Sequence, residues 1–199
     1  MLMNTQVCTG TEDLLLVIDM QNVYTKGQEW ACCSTETAAE NIHRLLCQGL
    51  WKNAVFTQYL ASPNPRGQWI QYNQINKKIN EDPWLNAIVP RLLPWTKRCP
   101  LLTKSVYSSF SIPQVREAAC KARRVIVTGV VAECCVLSTV LSAIDEGCPV
   151  IYLKDAVSGL TPRSEKETEE IVASFSPLHT AVATTEEYLS QGLRFFQTD

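Results

Sequence analysis

RVIVTGVVAECCVLSTVLSAIDEGCPVIYLKDA, residues 124–156, is where the fold can be read. RVIVTGV at 124–130 is a short apolar, β-branched run that ends near a glycine, the pattern of a buried strand. ECCVLSTVLSAIDEG at 133–147 carries apolar side chains at helical spacing and closes on Gly147. PVIYLKDA at 149–156 is again apolar and β-branched. Strands that are hydrophobic throughout and alternate with helices belong to a parallel sheet covered on both faces.

The same alternation extends in both directions. Strands are predicted at 14–19 (LLLVID), 53–59, 100–105 and 180–185. Helices are predicted at 34–50, where Ser34 with Glu36 and Thr37 suggests a capping box, and at 112–122, where Pro113 suits a first turn. Two more follow at 161–175 and 186–196. The expected fold is α/β: a three-layer αβα arrangement with a six-stranded parallel sheet, Rossmann-like, in one domain over 1–199. Residues 61–99, rich in proline and tryptophan, are too long for a plain connection and are expected to form short helices over a pocket or a subunit contact.

Composition narrows the partners. At 199 residues and 46% hydrophobic, the chain can bury a full core. A net charge of −2 gives no electrostatic case for nucleic acid or an anionic membrane. No apolar run approaches the ~20 residues of a membrane span. The N-terminus lacks the basic region of a signal peptide, so a cytoplasmic protein is expected. Nine cysteines at irregular spacing fit reduced thiols better than a disulfide framework. The paired cysteines at 32–33 and 134–135 are not spaced as zinc ligands, and the two histidines stand apart.

In a parallel sheet, ligands bind beyond the carboxyl ends of the strands. Asp19 ends the first strand, Lys104 ends the third, and Cys134 and Cys135 open the helix after the fourth. Singly these are a cap, a surface lysine and core thiols. Together they are the parts for nucleophilic acyl transfer. The helix dipole and Lys104 are expected to favour the thiolate, with Asp19 carrying the proton and backbone N–H groups holding the oxyanion. Adjacent helical residues point about 100° apart, so only one of the two cysteines can face the site.

LLLVIDMQNVY with Asp19, LLTKSVYSSF with Lys104, and VTGVVAECCVLSTVLSAIDEGCPVIYLKDA resemble, in order and spacing, the isochorismatase-like cysteine hydrolases. That superfamily includes nicotinamidase and N-carbamoylsarcosine amidase. The resemblance selects Cys135, directly before Val136, as nucleophile, with Asp19 and Lys104 as its catalytic partners. It implies a cis peptide at Val130–Val131 and an oxyanion hole from the amides of Val131 and Cys135. It also implies a homo-oligomer, dimer or tetramer, acting on a small-molecule substrate. Two departures stand out. Ala132 replaces the motif's threonine, and Gln58 and Leu60 stand where nicotinamidases carry metal ligands, so neither a metal nor another cofactor is expected.

Gln21, Tyr24 and Tyr107 follow the strands with reactive ends, Trp69 lies in the long segment, and Glu133 sits in the first helical turn. Each is a candidate for the substrate pocket, set against packing or, for Glu133, a favourable helix-dipole contact. The expected activity is metal-independent hydrolysis of a C–N bond in a small amide or ureido compound through a thioester. The alternatives are isochorismatase-type vinyl-ether hydrolysis and a non-catalytic binding protein on the same fold.

Overall fold

The computed structural model describes residues 12–191 and 196. The N-terminal residues read above as lacking a leader, and residues 192–195 of the last predicted helix, lie outside the described residues. The elements in chain order are β1 (Leu14–Ile18), α1 (Thr35–Cys47), β2 (Ala54–Tyr59), α2 (Gln68–Ile75), α3 (Lys77–Asn80) and α4 (Pro83–Asn86). They continue with β3 (Leu101–Lys104), α5 (Pro113–Lys121), β4 (Val125–Val130), α6 (Leu137–Asp145), β5 (Val150–Ser158), α7 (Pro162–Ala173), β6 (Thr180–Ala183) and α8 (Thr185–Gln191).

The strands form one six-stranded, all-parallel sheet in the order β3-β2-β1-β4-β5-β6, with helices on both faces. This is the three-layer α/β architecture expected. Strand periodicity divides the core. Leu15 and Val17 point to one face and pack with Ile42, Leu45 and Leu46 of α1. Leu14, Leu16 and Ile18 point to the other and pack with Val115 of α5, Val140 of α6 and Val172 of α7. The 61–99 segment forms α2, α3, α4 and a 3-10 turn at Leu93–Lys97. Ile79, Ile88 and Leu92 anchor it on the α1 face.

Gly129 could be no other residue. Its φ is +108°, and a Cβ there would lie 2.1 Å from the Ile18 carbonyl oxygen on the neighbouring strand. The peptide bond between Val130 and Val131, just beyond, is cis.

Three local expectations change. The Ser34 side chain does not cap α1; its N–H donates to Ser158 Oγ at 2.8 Å, which ties the start of α1 to the end of β5. The reciprocal capping box is at α7, between Thr161 and Ser164. The predicted helix at 133–147 opens as a π-turn over Ala132–Val136, because the Val136 N–H reaches back five residues to the Val131 carbonyl at 3.1 Å. β5 also runs past Asp155 to Ser158, so Asp155 is not a strand end; its carboxylate accepts from the Thr185 N–H at 2.7 Å and caps α8.

Candidate active site

The sheet order reverses between β1 and β4, and that switch point is where a parallel sheet leaves a crevice. Asp19 is the first residue past β1, with a left-handed φ of +50° that a short polar side chain tolerates. Cys135 lies in the π-turn after β4. Lys104, the last residue of β3, pairs in register with Tyr59 of β2.

The three side chains meet in the interior. Lys104 Nζ lies 2.6 Å from Asp19 Oδ2, with both side chains fully buried. The same ammonium donates to Cys135 Sγ at 3.3 Å and to the Val106 carbonyl at 3.0 Å, which accounts for its three protons. Asp19 Oδ1 accepts from Thr57 Oγ1 at 2.8 Å. Asp19 also hydrogen-bonds the Cys135 thiol.

Electrostatics correct the expectation of a thiolate. Burial pushes the Cys135 thiol strongly up, the Asp19 carboxylate adds to this, and Lys104 only partly offsets it. Burial alone would lower the Lys104 ammonium, but Asp19 and Cys135 outweigh it and hold the group above its ordinary value. Burial and Asp19 thus favour the neutral thiol at Cys135, next to the Lys104–Asp19 ion pair.

The cysteine doublet splits between the two cores. Cys135 is buried in the cluster that includes α6, whereas Cys134 is part-exposed and packs toward the α1 side. Thr139 fixes the turn that carries Cys135: its hydroxyl donates to the Cys135 carbonyl at 2.6 Å and accepts from the Ser109 N–H at 2.9 Å, tying α6 to the loop after Lys104. Val131, 6% exposed, precedes this turn.

The pocket candidates separate. Tyr24 is buried, and its hydroxyl is held up by burial first and then by the neighbouring Cys135 and Asp19, so it stands beside the trio. Trp69 contacts Tyr107, ring centroids 5.0 Å apart, and Tyr59 at 6.3 Å. Tyr107 itself is 41% exposed. Gln21 spends its side chain on backbone, donating to the carbonyls of Tyr59 and Asn86 and accepting from the Tyr59 N–H. Glu133 turns toward the loop after β5: Oε1 accepts from the Leu160 N–H at 3.2 Å and Oε2 approaches Gly159.

Sequence reading missed Thr57, Tyr59 and Trp30. Tyr59 and Trp30 complete an aromatic wall with Tyr72 and Trp69, and burial drives the Tyr59 hydroxyl up to about 12. Thr57 had only a weak signal, a hydroxyl next to Gln58 near the end of a mostly apolar strand; Trp30 had none, since 25–33 is irregular. Beside Lys104, Ser62, Arg66, Trp69 and Ser105 line an open cleft of about 320 Å³.

The family model for the isochorismatase domain matches residues 13–187. No curated protein matches the chain at a significant level. Among solved structures, a cysteine hydrolase from Pseudomonas syringae pv. phaseolicola is 18% identical, with 90% of this chain and 91% of that one covered and a TM-score of 0.74. N-carbamoylsarcosine amidase from Thermoplasma acidophilum is 16% identical over 88% of this chain and 98% of that one, TM-score 0.70. Pyrazinamidase of Pyrococcus horikoshii, in complex with zinc, is 21% identical over 87% of this chain and 99% of that one, TM-score 0.66. At these identities the likeness is one of fold.

The residues here do not fit a comparable metal. Among the described residues no three His, Cys, Asp or Glu side chains converge as ligands. Gln58 donates instead to the Asn86 carbonyl at 2.6 Å, and Leu60 is apolar and 36% exposed.

Proposed function

The chain belongs to the isochorismatase family, and from that premise we propose that it is a metal-independent cysteine hydrolase of small amides or ureido compounds. The observation that carries this reading is the buried ammonium of Lys104, bonded at once to Asp19 and to Cys135.

Cys135 Sγ attacks the substrate carbonyl as its proton passes to Asp19. The oxyanion is held by the amides of Val131 and Cys135. Losing one such donor costs about 2.7–4 kcal/mol in hydrolases that have been dissected this way. Asp19 then returns the proton to the leaving nitrogen, the C–N bond breaks, and ammonia or an amine departs from a Cys135 thioester. Asp19 next takes a proton from water, which attacks the thioester. The acid leaves and the thiol is restored. Lys104 stays an ammonium throughout, in keeping with its raised proton affinity, and stabilises whichever of its two partners is anionic. Tyr24, Trp69 and Tyr107 form walls of the substrate pocket.

Eight free cysteines among the described residues support a reducing, cytoplasmic setting. Apolar side chains left outside on the 61–99 cover, Ile75 at 74% and Trp84 at 55% exposed, support a homo-oligomer.

The test is ammonia release from a panel of small amides, ureides and biuret. At least one compound should be cleaved, and Cys135→Ala should lower its rate about a thousandfold or more while the protein stays folded. An unchanged rate in that variant would remove Cys135 from the reaction.

A further inference from the structure

A fully buried threonine hydroxyl in a central strand calls for a reason. Thr57 is fully buried in β2, where valine has the same shape and no polar group to satisfy. Its hydroxyl donates to Asp19 Oδ1 at 2.8 Å, and its carbonyl accepts the Asp19 N–H at 3.1 Å. One residue thus grips Asp19 at both side chain and backbone.

The grip matters because β1 ends at Ile18, so Asp19 lies beyond the regular ladder in a left-handed conformation. A carboxylate there can rotate about its last bond. With Oδ1 fixed by Thr57, Oδ2 faces the Lys104 ammonium at 2.6 Å on the side of Cys135. Oδ2 is the oxygen left to take the thiol proton.

We propose that Thr57 is a positioning residue that keeps Asp19 aimed at Cys135, an inference that rests on the proton-accepting role given to Asp19 above. Without the hydroxyl, Oδ1 loses its side-chain partner, the carboxylate can turn, and Oδ2 no longer stays where the thiol proton must go. Losing a hydrogen bond to a charged group is enough to change a rate that depends on it by on the order of tenfold.

The test needs no substrate. The alkylation rate of Cys135 by iodoacetamide at neutral pH, followed by peptide mass spectrometry, is compared in wild type, Thr57→Val and Thr57→Ser. The rate should fall roughly tenfold in Thr57→Val, and Thr57→Ser should restore it. Equal rates in all three proteins would overturn the proposal, as would a fall in Thr57→Val that serine does not restore. Destabilisation has the opposite sign, since loss of packing opens the site and speeds alkylation of a buried thiol. Failure of the hydrolase reading shows elsewhere, as ammonia release that survives Cys135→Ala.

Discussion

At Cys135, the nucleophile proposed above, burial and Asp19 favour the neutral thiol. A thiol at a helix start beside a lysine invites the prediction of a thiolate, but burial and Asp19 push it the other way. The sign has a consequence for labelling. At neutral pH the exposed thiols of Cys33 and Cys47 should be alkylated before Cys135 in the free protein, and peptide mapping over time checks that order. Lys104→Met removes the group that lowers the Cys135 thiol, so Cys135 alkylation should slow further and require higher pH. Equal rates in the two proteins would separate Lys104 from the thiol. Asp19, Lys104 and the Cys134–Cys135 pair stood out as candidates in the sequence because each ends a strand or opens a helix, and the family resemblance singled out Cys135. Thr57 was not, because its partner is thirty-eight positions away on another strand. Gln21 was misleading for a related reason: nothing local distinguishes a pocket amide from one that binds backbone.

Two elements hold the site in place, and each has a residue to test. Gly129→Ala would drive a methyl group into the Ile18 carbonyl at a positive φ. It should cost at least about 3 kcal/mol in denaturant unfolding, because the neighbour is backbone on a central strand. Gln21 brackets the end of β2 to α4 through the Tyr59 and Asn86 backbones. Gln21→Ala leaves buried partners unsatisfied and should cost roughly 2–4 kcal/mol. It should also speed hydrogen exchange in the nearby N–H groups of residues 83–89 more than in β4. The strands and the helices that cover them followed from periodicity, whereas α2, α3 and α4 were expected only as short helices somewhere in 61–99. The π-turn did not, since it depends on how Val136 meets the Val131 carbonyl, and a helical pattern looks the same in either winding. The cap at Ser34 failed because tertiary contact with Ser158 and Glu165 replaced the local bond.

At the scale of the molecule, Asp13 links the start of β1 to Arg124 before β4 and to Tyr188 of α8. Burial acts to raise its carboxyl, but the guanidinium groups of Arg124 and Arg123 and the Tyr188 hydroxyl outweigh that and hold it low. A carboxylate that is more acidic when folded contributes stability above the ordinary range near ~4 and loses it as pH falls through the depressed folded value. Asp13→Asn should therefore lower stability at neutral pH by about 3 kcal/mol and flatten the acid end of the stability curve. Light scattering in solution should give a mass that is a multiple of the single chain. The sheet order, which places Asp19 and Cys135 on neighbouring strands, could not be read from spacing, because pairing between β1 and β4 joins segments more than a hundred residues apart. The central claim is the covalent step at Cys135. Wild-type protein mixed with a substrate it cleaves, quenched in acid within the first turnovers, should carry the acyl group as a thioester on the peptide containing Cys135. Turnover with that peptide unmodified at every time sampled, and undiminished in Cys135→Ala, would contradict the account.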